Sequence, residues 1–312
     1  MFRTILVPLD GSPAAERALP LATALAQAAA ARLVLVRCVW VTGVPGWETE
    51  KRQEAATQEA DDYLRPIAGE LRLQDVRVDI RAIAAHPGQG ILWTLADEHA
   101  DLVVMTTHGR TGVGRFIYGS VAESVLTQSH VPVLLVRAKS LIEPRLDPGR
   151  DGLLVALDGS TVAEAVLPYA VEMARVLDAM LILVRVVPLP SPLMPETLVE
   201  PELGNEIFKM ELQEAEDYLA KLARQLRQDG LRVIPYVETG SAATTLLRKS
   251  NELNTVFVLM ATHGRAGMDR LVFGSVAMEV LRRGDHPVML VHPLGLIREK
   301  VLSQGAVPAG MD

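Results

Sequence analysis

Apolar residues fall in short runs separated by longer amphipathic stretches. Thr4-Ile-Leu-Val-Pro-Leu is too short for a helix and predicts a buried strand, closed by Asp10-Gly11-Ser12. Ser12 followed by Pro13 reads as the N-cap and first residue of an Ala-rich helix that reaches about residue 30. A second apolar run covers 32–39, and a polar-faced helix covers 48–72. The alternating stretch 76–84 predicts a third strand. His86-Pro87-Gly88 then turns the chain into a helix that ends near 99. Strands at 102–105 and 131–136 flank a fourth helix at 119–129. Strands that alternate with helices in this way predict an α/β fold, a parallel sheet with helices on both faces.

The whole pattern then returns. Leu153-Leu-Val-Ala-Leu-Asp158-Gly159-Ser160 repeats Ile5-Leu-Val-Pro-Leu-Asp10-Gly11-Ser12, and Arg185 stands in its apolar run where Arg37 stood. Val288-Met-Leu-Val repeats Val133-Leu-Leu-Val. Asp10 and Asp158 stand 148 positions apart, Gly119 and Gly274 155 apart. The seven extra residues are assigned to the Pro-rich stretch 188–201. The repeat is a whole domain. The expected division is domain 1 at 1–138, a Pro/Gly-containing linker at 139–150, domain 2 at 151–293 and a frayed tail at 294–312.

Composition narrows the partners. Aromatics are 4% of the 312 residues, so Ala, Val and Leu must build the two cores. A net charge of −7 gives no general basic field for nucleic acid. No apolar run approaches the roughly 20 residues that span a bilayer. The single Cys38 cannot form an intrachain disulfide, and the N-terminus enters a strand pattern at once instead of reading as a signal peptide. A cytoplasmic protein is expected, with no nucleic-acid or membrane partner.

One stretch carries the candidate chemistry. Thr107-His-Gly-Arg-Thr-Gly-Val-Gly-Arg-Phe-Ile-Tyr-Gly-Ser-Val-Ala122 returns as Thr262-His-Gly-Arg-Ala-Gly-Met-Asp-Arg-Leu-Val-Phe-Gly-Ser-Val-Ala277. Each copy follows a strand and opens a helix. Glycines there admit close backbone approach, and free N–H groups at a helix start favour an anion. Ser120 adds a donor, while Arg110 and Arg115, matched by Arg265 and Arg270, supply positive charge. The competing reading is structural: the glycines shape a turn and the serine caps a helix. Asp10 and Asp158 end the first strand of each copy, where open α/β sheets bind ligands, and Asp-Gly-Ser is also ordinary turn chemistry. The histidines lack metal-ligand spacing, and neither a Walker sequence nor a G-x-G-x-x-G after strand one is present. No catalytic residue and no metal site are assigned.

Strand-Asp-Gly-Ser, Thr-His-Gly-Arg, Gly-x9-Gly-Ser-Val-Ala and a closing Pro-Val-x-x-Val strand together resemble the universal stress protein family, over roughly 1–138 and 151–293. The resemblance implies a five-stranded parallel sheet of order 3-2-1-4-5 in each domain. It also implies pairing through fifth strands, within the chain or in a homodimer. It implies an adenine nucleotide, ATP favoured, with or without Mg2+, in a regulatory stress role. Asp10 would contact the ribose and Val39, or its neighbour Cys38, the adenine edge. Gly109, Gly119 and Ser120 would hold phosphates beside Val121. In the second copy the matches are Asp158, Val186 or Val187, Gly264, Gly274, Ser275 and Val276. The first glycine of the family pattern is Thr106 here, and Ala261 in the second copy. A scaffold that binds no nucleotide, and a slow ATPase using Glu123, are the alternatives.

Overall fold

The computed structural model describes residues 2–43, 46–107, 119–138, 146–147, 149–190, 201–262 and 274–292. The chain forms two compact units, one of Met1–Arg145 with Met289–Asp312 and the other of Leu146–Val288.

In the first unit, β1 (Thr4–Pro8), β2 (Arg32–Val39), β3 (Arg77–Ala84), β4 (Leu102–Thr106) and β5 (Val133–Val136) pair in parallel in the order β3-β2-β1-β4-β5. Pro8 pairs with Val36, Val39 with Ala84 and Thr106 with Val136. Ile5, Leu6, Val7 and 33–35 are fully buried, as strands covered on both faces require.

The helix expected from Pro13 to about residue 30 is two helices, α1 (Pro13–Glu16) and α2 (Leu19–Ala29). Pro20 is the reason. It lacks an N–H and its ring opposes the carbonyl four residues back, so it costs least in a first turn, where it stands at the start of α2, although α3 carries Pro66 in its interior. The long helix is α3 (Trp47–Arg72). Pro87 opens α4 (Pro87–Asp97), and α5 spans Ser120–Gln128.

The two faces of the sheet are told apart by β2. Arg37 stacks over the Tyr63 ring of α3, 4.7 Å from its centroid. Cys38 points the other way, where Gly90 of α4 gives it room. Gly88, two residues earlier, packs against Ser124 of α5. Thus α3 lies on one face, with α4 and α5 on the other.

The second half of the sequence repeats the plan. β6 (Gly152–Leu157), α6 (Thr161–Glu164), α7 (Leu167–Leu177), β7 (Met180–Val187), α8 (Pro201–Gln228), β8 (Val233–Thr239), α9 (Ala242–Glu252), β9 (Phe257–Ala261), α10 (Ser275–Arg283) and β10 (Val288–Val291) follow in chain order. Parallel pairing gives β8-β7-β6-β9. The Val258 amide donates to the Pro287 carbonyl at 3.0 Å, as Val103 donates to Pro132.

Candidate functional site

The carboxyl end of each first strand closes in the same turn. Gly11 has φ +84°, a left-handed conformation that favours glycine. It folds the chain so that the Ser12 amide reaches Asp10 Oδ1 at 2.9 Å, and Ser12 Oγ donates to the same oxygen at 2.6 Å. Ser12 Oγ in turn accepts from the Ala15 amide at 3.2 Å and caps α1. The second unit reproduces this closely: Gly159 at φ +84°, then 2.9 and 2.6 Å from Ser160 to Asp158 Oδ1, and 3.1 Å from Ala163 to Ser160. Each aspartate is half-buried and oriented by its own turn.

The fourth strands deliver the other part. The Gly119 amide donates to the Thr107 carbonyl at 2.9 Å, and Gly274 to Thr262 at 2.7 Å. Each bond ties the start of α5 or α10 to the end of its strand. Ser120 and Ser275, the first helical residues, are exposed; Val121 and Val276 are half-buried. Gly119 has an ordinary φ of −69°. A Cβ added there would come no nearer than 4.0 Å to the Thr107 carbonyl among the described residues. Neither backbone strain nor crowding from those residues calls for glycine at this position. Thr106 and Ala261 lie within β4 and β9 and are buried, so their side chains belong to the core. Gly109, Arg110, Arg115, Gly264, Arg265 and Arg270 lie outside the described residues, as do His108 and His263.

Val39 ends β2 and Val186 is the penultimate residue of β7, both half-buried, while Val187 ends β7 and is buried. Of the first pair of neighbours it is Cys38 that packs against α4. Burial pushes its thiol pKa up to about 12, so it stays protonated and apolar at neutral pH.

A cluster the sequence reading did not assemble lies on the opposite face. Arg37 is 6% exposed and reaches Glu59 of α3 at 3.8 Å, while the Tyr63 hydroxyl donates to Glu16 of α1 at 2.7 Å. Arg185, Glu214, Tyr218 and Glu164 repeat it, at 3.2 Å for the ion pair and 3.0 Å for the tyrosine bond. Burial, then the carboxylate partner, raises both tyrosine pKa values, so the hydroxyls remain donors. Glu16, Arg37 and their matches are 148 apart, whereas Glu59, Tyr63 and theirs are 155 apart. The seven-residue insertion therefore falls between Arg185 and Glu214. That change of offset was the signal available in the sequence.

Among the described residues no group of three or more His, Cys, Asp or Glu could hold a metal ion, and no helix is long and apolar enough to cross a membrane.

Comparison with known proteins converges. A model of the universal stress protein family matches residues 1–137 and 150–292. A universal stress protein of Thermus aquaticus is 37% identical over 139 residues, 44% of this chain and 100% of that protein. One from Mycobacterium tuberculosis is 30% identical over 193 residues, 61% of each chain. The crystal structure of a universal stress protein from Archaeoglobus fulgidus shares the fold, with TM-score 0.69 and 20% identity, over 94% of this chain and 99% of that one. A Pseudomonas aeruginosa structure does so with TM-score 0.64 and 19% identity, over 97% and 98%.

Proposed function

The chain belongs to the universal stress protein family in its tandem form, and from that premise we propose that it binds adenine nucleotide, ATP in preference, at the carboxyl end of each half's sheet. Asp10 and Asp158 accept ribose hydroxyl bonds. Val39 or its neighbour Cys38 meets the adenine edge, as does Val186 or Val187 in the second half. Gly109, Gly119, Ser120 and Val121 hold the phosphates, as do Gly264, Gly274, Ser275 and Val276, with Arg110 and Arg265 supplying charge. Any Mg2+ rides on the triphosphate, the usual arrangement for that ion. The observation that carries the reading is Gly119. The described fold gives no reason for a glycine there, whereas a phosphate approaching the amides at the start of α5 does. The preset Asp10 and Asp158 carboxylates lie at the same sheet end as those helix starts.

The role that follows is regulatory and cytoplasmic: bound nucleotide alters pairing through the fifth strands, within the chain or between copies. Calorimetric titration of the nucleotide-stripped chain with ATP tests the binding. Saturable heat in the wild type, reduced by Asp10→Ala and abolished by Asp10→Ala with Asp158→Ala, is the expected result. No heat at millimolar ATP, with native circular dichroism, refutes it.

A further inference from the structure

All three tryptophans of the chain, Trp40, Trp47 and Trp93, belong to the first half and are strongly exposed, at 58%, 70% and 57%. An exposed indole offers a flat face on which a ligand can stack. Trp40 differs from the other two in how its backbone is held. It lies one residue beyond β2, where no strand remains to pair with it. The Gln53 side chain of α3 takes the missing strand's place. Gln53 Oε1 accepts from the Val41 amide at 2.9 Å, and Gln53 Nε2 donates to the Val39 carbonyl at 2.9 Å. These are the two bonds that a single residue of a parallel neighbour makes to the residues flanking its partner. Residues 39–41 are thereby kept extended beyond the strand's end.

Extended backbone preserves the alternation of side chains. Arg37 faces α3 and Cys38 faces α4, so Trp40 falls on the Cys38 side, the face that carries α4 and the start of α5. The register places it near the candidate site: Pro8 pairs with Val36, bringing Asp10 level with Cys38, two residues before Trp40. The second half has neither component. At the matching offsets Pro188 replaces Trp40 and Phe208 replaces Gln53. Phe208 has no amide with which to bridge a backbone.

We propose that Trp40, held by Gln53, stacks on the purine base of a nucleotide in the first-half site and makes that site the tighter of the two. The inference rests on the nucleotide reading above and assigns the base contact and the inequality of the halves. An indole face suits this task, since stacking on a base needs area and no directional bond. Trp47 and Trp93 lack the backbone bridge and serve as internal controls.

The test uses the full-length, nucleotide-stripped chain, with ATP and inorganic tripolyphosphate as probes, followed by tryptophan emission and calorimetry. ATP quenches the emission of the wild type, and of Trp47→Phe and Trp93→Phe. Trp40→Ala weakens ATP binding in the first half by on the order of tenfold, the scale of one base–aromatic stack. Trp40→Phe stays within a few-fold of wild type. Tripolyphosphate, which has no base, binds Trp40→Ala as it binds wild type. In an Asp10→Ala background the Trp40→Ala change adds nothing. Wild-type affinity for ATP in Trp40→Ala overturns the inference and leaves the nucleotide reading standing. Equal losses for ATP and tripolyphosphate also overturn it, because the residue would then merely support the loop. Absence of ATP binding by the wild type overturns both.

Discussion

Gly90→Ala probes the face of β2 on which the site depends. An added Cβ would lie 2.6 Å from Cys38 Sγ and 3.2 Å from the Ala85 Cβ. The sulfur contact is about 1 Å inside ordinary van der Waals distance, so Cys38 or α4 must move. Such overpacking costs about 1–3 kcal/mol. Replacing a helical glycine by alanine returns about 1 kcal/mol through backbone entropy. The expected net effect is a loss on the order of 1 kcal/mol. Cys38→Ala alone removes a small half-buried group and costs about 1 kcal/mol. In the double variant the offending sulfur is gone and only the Ala85 contact stays tight. The pair should therefore be more stable than the two single losses predict, with a coupling of about 1–2 kcal/mol. Urea titration followed by tryptophan emission reads this out, because every tryptophan lies in the first half. Losses that add to within about 0.5 kcal/mol would refute the packing argument, and with it the assignment of Cys38 and Trp40 to the α4 side.

Two further outcomes follow from the geometry. His286 is buried, with Nε2 3.0 Å from Asn251 Oδ1, and burial lowers its pKa from the ordinary 6.5. Below about pH 6.5 the unfolded chain binds a proton that the native state resists, so stability falls as pH drops and levels once the native histidine also titrates. Calorimetric unfolding at pH 7.5 and 5.5 should show this in the second half, and His286→Val, which copies Val131 of the first half, should flatten it; equal pH slopes in both proteins would contradict it. Ser12→Ala and Ser160→Ala each remove one matched cap, so each should cost about 1 kcal/mol and the two should add; unequal or non-additive losses in denaturant titrations would count against equivalent turns.

The strands and the repeat were legible because buried parallel strands leave short, branched apolar runs and Gly/Pro punctuation on every connection, whereas the strand order came only from the family resemblance. The break at Pro20 was legible too but was overlooked, since the Ala-rich pattern continues through it. Element ends moved by a residue or two: Thr106 belongs to β4 and Val131 precedes β5, because pairing with Val136, not apolarity, decides where β4 stops. The Asp-Gly-Ser turns read correctly as turn and cap, since their bonds span two or three residues. The Arg37–Tyr63–Glu16 cluster and the Gln53 bridge did not, because their partners lie 12–47 residues apart and no local pattern marks them.

The duplication separates two kinds of retained residue. Arg37, Tyr63 and Glu16 recur as Arg185, Tyr218 and Glu164, and the fold accounts for them. A buried guanidinium needs a ring and carboxylates around it, and the tyrosine bond ties α3 to α1. Their recurrence carries no information about a ligand. Gly119 recurs as Gly274, but an ordinary φ and the lack of crowding from the described residues remove the same explanation for Gly119. A residue repeated without a folding reason is the better pointer to a shared ligand. Positions that differ between halves then point to what the ligand meets differently: Trp40 against Pro188 and Gln53 against Phe208 at the base, Glu123 against Met278 in the first turn of α5 and α10. A carboxylate close to a phosphate-binding helix start raises the cost of holding an anion unless a cation accompanies it. In the proposed first-half site the base contact and this charge would therefore act in opposite directions. Metal-free triphosphate should show the smaller preference between halves, and the magnesium complex the larger.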